Sequence, residues 1–81
     1  MEKRISVISI IISDREAAAS VNELLHAYGE YIIGRMGLPY AQKDVSIICL
    51  VLDAPMAATS ALSGKLGMLQ GVTAKTHTAK V

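Results

Sequence analysis

YIIGRMGLPYAQKDVSIICLVLD, residues 31–53, holds two extended segments and the turn between them. The second segment, DVSIICLVLD (residues 44–53), is rich in β-branched and aliphatic residues and reads as a strong strand. The first is apolar too, but it carries Gly34, Gly37 and Pro39. Pro39 has no N–H to give a sheet ladder, so this strand belongs at an edge. Gly34 and Gly37 flank Arg35 and Met36, which points to a bulge or a close backbone approach. Ala41 to Asp44 form a polar turn, making the whole stretch a hairpin. Simple alternation places Ile33 and Arg35 on one face of the first strand, and Ile32, Met36 and Leu38 on the other.

On the N-terminal side, RISVISIIIS (residues 4–13) reads as another strand bounded by charge. Ser13 and Glu16 have the Ser-x-x-Glu spacing of a capping box, so a helix follows at once. Ala18, Val21, Leu24, Leu25 and Tyr28 recur at helical spacing, and Gly29 is positioned to end the helix in a left-handed conformation. On the C-terminal side, Asp53 and Pro55 signal a second helix start. Ala58, Ala61, Leu62, Lys65, Leu66 and Leu69 set its inner stripe and boundary, Gly71 stops it, and VTAKTHTAK (residues 72–80) alternates as a last strand. The order is β-α-β-β-α-β. Two right-handed crossovers interleave into one α+β, ferredoxin-like domain over residues 1–81. Its sheet has four antiparallel strands with two helices on one face, the first and third strands central and the others at the edges.

Two helices cover one sheet face, yet both faces are apolar. The first strand places Ile5, Val7 and Ile11 on one side and Ile8, Ile10 and Ile12 on the other. The later central strand divides into Val45, Ile47, Cys49 and Val51 against Ile48, Leu50 and Leu52. An uncovered face of that kind invites aggregation in a monomer, so a homo-oligomer, dimer or tetramer, is expected through the open face or by joining edge strands. Composition agrees: 52% of 81 residues are hydrophobic, although a domain this small buries only roughly 60–65% of its unfolded surface.

Several function classes are disfavoured by what is missing. The aliphatic run from Ile47 to Leu52 is too short to span a bilayer. Lys3 and Arg4 before an apolar stretch resemble a signal peptide, but serines break the stretch and no small-residue cleavage site follows. The single cysteine, Cys49, suits a reducing cytoplasm. A net charge of +1 supplies no basic field for phosphates. RNA-binding domains of this topology stack bases on central-strand aromatics, and neither central strand has one. His26, Cys49 and His77 share no local metal-ligand spacing, so a partly exposed helix histidine, a small buried thiol and a terminal strand histidine are the expected roles. A metal site shared across a subunit interface is the alternative. Gly64 and Gly67, inside the second helix, suggest close approach to the sheet or a partner rather than a phosphate cradle, because Walker spacing would need glycine at Thr59. No nucleophile–base–orienter set is visible, so catalysis is not expected. Arg15, in the first strand–helix loop, is too little by itself to make an anion site.

MEKRISVISIIISDREAAASVNELLHAYGEYIIGRMGLPY (residues 1–40) and TSALSGKLGMLQGVTAK (residues 59–75) closely resemble the short bacterial proteins described as iron-only hydrogenase system regulators. YIIGRMGLPY and SGKLGML carry the resemblance most specifically, and it covers nearly the whole chain. It implies an ACT-like domain, similar to the C-terminal domain of the nickel-responsive repressor. It also implies a cytoplasmic, non-enzymatic regulatory or effector-sensing module, linked to iron-only hydrogenase systems and to transcriptional regulation, with no cofactor. Its partners would be further copies, a partner protein or a small effector. That repressor's ribbon-helix-helix domain would precede the first strand, where only Met1 to Lys3 stand, so direct nucleic-acid binding is not expected. Its nickel ligands align near Met36, Leu38 and Asp44, none of them histidine or cysteine, so that site does not carry over. ACT domains that bind amino acids often place glycine after the first strand, where SDREA stands here. Gly34, Arg35, Met36 and Gly37 are the interface or effector candidates, with Arg35 foremost among them, although the residue pattern favours a solvated edge arginine that discourages aggregation.

Overall fold

The computed structural model describes residues 2–79. The elements are β1 (Lys3–Ile12), α1 (Ala18–Ala27), β2 (Ile32–Tyr40), β3 (Val45–Pro55), α2 (Met56–Gly67) and β4 (Val72–Ala79). Short 3-10 turns, Arg15–Ala17, Gly29–Tyr31 and Ala41–Lys43, connect them. The strands form one antiparallel sheet in the order β2-β3-β1-β4, the ferredoxin-like arrangement expected from the hairpin and its flanking crossovers. Pro39 lies on edge strand β2, where its missing N–H costs no ladder bond in the interior. Lys80, the final residue assigned to the last strand by alternation, lies outside the described residues.

The core forms between the helices and the even-numbered face of the central strands. Ile8 and Ile10 of β1, Leu50 and Leu52 of β3, Val21 of α1, and Leu62 and Leu66 of α2 are fully buried. Fully burying such an aliphatic side chain stabilises a fold by about 1.5–3 kcal/mol. Ile8 pairs with Leu50 and Ile10 with Ile48, so cross-strand neighbours meet under the same helices. Lys65 joins α1 to α2, its Nζ donating to the Tyr28 hydroxyl at 3.0 Å and lying 5.3 Å from the ring centre.

Local details depart from the sequence pattern where tertiary partners compete. Ser13 does not cap the first helix; its N–H and Oγ both donate to the Gly71 carbonyl, at 2.7 and 3.2 Å. Asp14 caps the 3-10 turn Arg15–Ala17 that leads into α1, its Oδ1 accepting from the Glu16 N–H at 3.0 Å, and α1 itself has no side-chain cap. Gly29 is not left-handed: Tyr28 and Tyr31 pack against the core, and the chain tightens into a 3-10 turn instead. β3 runs through Asp53 to Pro55, and Pro55 is the extended N-cap of α2 rather than a residue of its first turn. On α2 the buried stripe is Thr59, Leu62 and Leu66, while Ala61 faces solvent. No atom outside its own helix backbone and chain neighbours comes within 4 Å of a Cβ placed on Gly64 or Gly67, so neither approaches the sheet closely.

The second helix ends before Gly71, at Gly67 with Met68 as its C-cap, and Gly71 instead turns the chain into β4. Its φ is +79°, and a Cβ there would run into the Cβ of Asp14. The α2–β4 turn therefore docks against the β1–α1 turn, with Ser13 bonded to the same residue. Gly71→Ala is expected to lower stability by about 2 kcal/mol or more through the left-handed backbone and the clash. Gly64→Ala, in open space within a helix, should raise it by about 1 kcal/mol. Urea denaturation of the two variants checks this; equal effects would remove the assigned role of Gly71.

Candidate interface and effector surface

Among the described residues none forms a layer over the second sheet face. Register fixes its rows. Val51 stands beside Val7 and His77; Met36 beside Cys49, Ser9 and Lys75; Leu38 beside Ile47, Ile11 and Thr73. Tyr40 and Val45 extend the face at the hairpin end, and Ile5 and Asp53 at the other. Ile11 is 44% exposed, Leu38 58% and Met36 68%. The face is thus apolar across β2, β3 and β1, and turns polar along β4 at Thr73, Lys75 and His77. Both central strands divide into faces as alternation requires.

β2 does not divide that way. Its register to β3 shifts between Ile32, opposite Leu52, and Gly34, opposite Val51, leaving Ile33 as an added residue. A bulge reverses the face of everything beyond it. Ile32 therefore packs toward the core, whereas Met36 and Leu38 lie on the open face. The expectation that Ile32, Met36 and Leu38 share a face is corrected by that one inserted residue. The bulge reading of Gly34 holds. Close approach does not, because a Cβ on Gly34 or Gly37 would meet nothing within 4 Å.

The candidate segment is consequently split across the sheet. Met36 belongs to the open face; Arg35, opposite Leu50, turns toward the helices. Arg35 Nη2 donates to Asn22 Oδ1 of α1 at 3.1 Å. Around it, α1 and the helix-side face of β2 leave a groove. Arg35, Asn22, Gly37 and Ile48 line a cavity of about 280 Å³. A second of about 360 Å³, lined by Arg15, Tyr40 and Asp44, adjoins it, and the two share Ile12, Ala18, Pro39 and Ser46. Arg15 Nε and Nη2 both lie 3.0 Å from Asp44 Oδ1. Asp44 closes the hairpin in a left-handed conformation (φ 55°), which aspartate tolerates. Each end of the groove thus presents a guanidinium. The Asn22–Arg35 and Arg15–Asp44 pairings carry no local sequence signal, since they join elements far apart in the chain.

His26, Cys49 and His77 do not converge within the chain. His26 is exposed on α1, while Cys49 and His77 belong to the sheet face opposite the helices, on strands separated by β1. Among the described residues no group of three His, Cys, Asp or Glu side chains is placed to hold a metal ion. No helix among them is long and apolar enough to cross a membrane.

The model of the TM1266-like family, described as "Iron-only hydrogenase system regulator, putative", matches residues 4–76. The structure of uncharacterized protein TM1266 from Thermotoga maritima is 41% identical, with a TM-score of 0.94 over 98% of this chain and 100% of that one. The C-terminal domain of the MgtC protein from Mycobacterium tuberculosis is 13% identical, with a TM-score of 0.70 over 95% of this chain and 88% of that one. A formyltetrahydrofolate deformylase from Pseudomonas putida KT2440 is 10% identical, with a TM-score of 0.65 over 90% of this chain and 28% of that one. The last two likenesses show the fold alone. No curated protein matches the sequence.

Arg35 and Asn22 are both exposed, and a solvated hydrogen bond of this kind contributes little to folding. Arg35→Ala is expected to change unfolding free energy by less than about 0.5 kcal/mol. Urea titration checks this, and a larger loss would make Arg35 a structural residue rather than a contact residue.

Proposed function

The chain belongs to the TM1266-like family of iron-only hydrogenase system regulators, and from that membership and its uncovered sheet face we propose a non-enzymatic regulatory module that works as a homo-oligomer. The observation that carries the reading is the open face. Ile5, Val7 and Ile11 of β1 with Ile47, Cys49 and Val51 of β3 form a mainly apolar centre, interrupted by Ser9 and widened by Met36 and Leu38. A second copy laid on this face would give the sheet the second apolar layer that the helices give its other side. Polar residues along β4, Thr73, Lys75 and His77, would form the rim of such an interface.

Arg35 is the contact residue for a partner protein or effector on the other side of β2. It is exposed, held by one hydrogen bond, and borders a groove of suitable size. The module acts by protein association rather than by touching nucleic acid: the central strands carry no aromatic residue for base stacking, and net charge is +1. Its place is the cytoplasm, where the free thiol of Cys49 stays reduced.

Native mass spectrometry at micromolar concentration should show a dimer or tetramer. Ile47→Lys, which places a charge at the centre of the open face, should produce monomers with an unchanged circular dichroism spectrum. Met68→Lys, on the helical side, should leave the assembly intact. A wild-type chain that stays monomeric under these conditions would overturn the proposal.

A further inference from the structure

On the opposite side of the molecule from the open face, α2 and edge strand β4 enclose a cleft of about 460 Å³. Its walls are hydroxyls: Thr59, Ser60 and Ser63 from α2, Thr76 and Thr78 from β4, with Met56 at one end and Gly64 leaving space. Among the described residues no charged side chain lines it. Helical spacing puts Ser60, Ser63 and Gly64 along one flank of α2, and strand alternation puts Thr76 and Thr78 on the helix-side face of β4.

Two hydroxyl pairs stiffen the walls. Thr76 Oγ1 donates to Ser63 Oγ at 3.0 Å, and Ser6 and Thr78 share a hydrogen bond of 2.8 Å. Each pair uses one hydroxyl proton internally and keeps another, with free lone pairs, for a further partner. Thr59 differs. It is 1% exposed, and its Oγ1 has no hydrogen-bond partner. A buried hydroxyl left unpaired costs about 1–3 kcal/mol, and valine would fill the same volume without that cost. One water could satisfy Thr59, but a water occupies about 30 Å³ of liquid and the cleft is many times larger. Its size falls within the range of small-molecule sites.

We infer that the α2–β4 cleft is a binding site for a small uncharged polyol, with Thr59 as the buried group that the ligand completes. Hydroxyls both donate and accept, so a ligand carrying several hydroxyls matches these walls without forcing two donors or two acceptors together. An ionic ligand would lose hydration against walls whose described residues offer no countercharge. The cleft and the open face use different side chains, so this inference does not rest on oligomerisation.

The test is a ¹H–¹⁵N correlation titration of the full chain with myo-inositol and glycerol, and with succinate as the charged comparator. Saturable millimolar binding is expected from at least one polyol, with amide shifts confined to residues 56–64 and 76–78. Succinate should not move these amides. Thr59→Val should weaken binding about tenfold, the worth of one hydrogen bond to a polar group. Gly64→Met, a helix-compatible change that fills the cleft, should abolish it. Binding should persist in Ile47→Lys, separating this site from the oligomer interface. No saturable shift with either polyol, shifts scattered over the surface, equal response to succinate, or unchanged affinity in both Thr59→Val and Gly64→Met would overturn the proposal.

Discussion

Ten consecutive pairs between β1 and β3, from Lys3 opposite Pro55 to Ile12 opposite Ser46, set the terms for the rest of this molecule. These two strands are central, and both are aliphatic on both faces. Their even-numbered residues, among them Ile8, Ile10, Leu50 and Leu52, disappear under α1 and α2. Their odd-numbered residues, Ile5, Val7, Ile11, Ile47 and Val51, remain only half-buried or exposed. A β-strand cannot show helices one composition and water another when both sides are β-branched. The fold therefore buries one face of its central strands under the helices and leaves the other uncovered.

The edges of the sheet are managed differently. β2 carries a proline, a bulge and two glycines, all of which make an edge poor at recruiting another strand. The bulge has a second consequence: one inserted residue, Ile33, sends Met36 to the open face and Arg35 to the helical side. An apparently uniform segment thereby serves two surfaces. β4 pairs with β1 without a register shift and lines a hydroxylated cleft against α2. Grooves on the helical side of the molecule thus differ in chemistry, one being bordered by guanidinium groups at Arg35 and Arg15 and another by neutral hydroxyls.

The small connections show how local preference yields to partners. Ser13 and Glu16 have the spacing of a capping box, and an isolated peptide would use it. In the folded chain the Gly71 carbonyl needs a donor, Ser13 supplies it, and Asp14 caps the 3-10 turn that leads into the helix. Gly29 has the freedom to reverse a helix, but Tyr28 and Tyr31 on either side find the core and hold the backbone in a tight right-handed turn. Gly71 keeps its left-handed role because Asp14 leaves no room for a side chain there.

Element order, sheet topology and the division of β1 and β3 into two apolar faces were all legible in the residues, because periods of 2 and 3.6 are local properties of the chain. The sequence also carried the family, through YIIGRMGLPY and SGKLGML. Only the tertiary structure decided which of the two near-equivalent faces meets the helices, since each strand's own residues favour neither. It alone separated Arg35 from Met36, because a bulge depends on how two strands pair rather than on either one. The same holds for the cleft: Thr59, Ser63, Thr76 and Thr78 become neighbours only when α2 lies against β4. Long-range juxtaposition leaves no trace in spacing, and surfaces for partners and ligands are made of it.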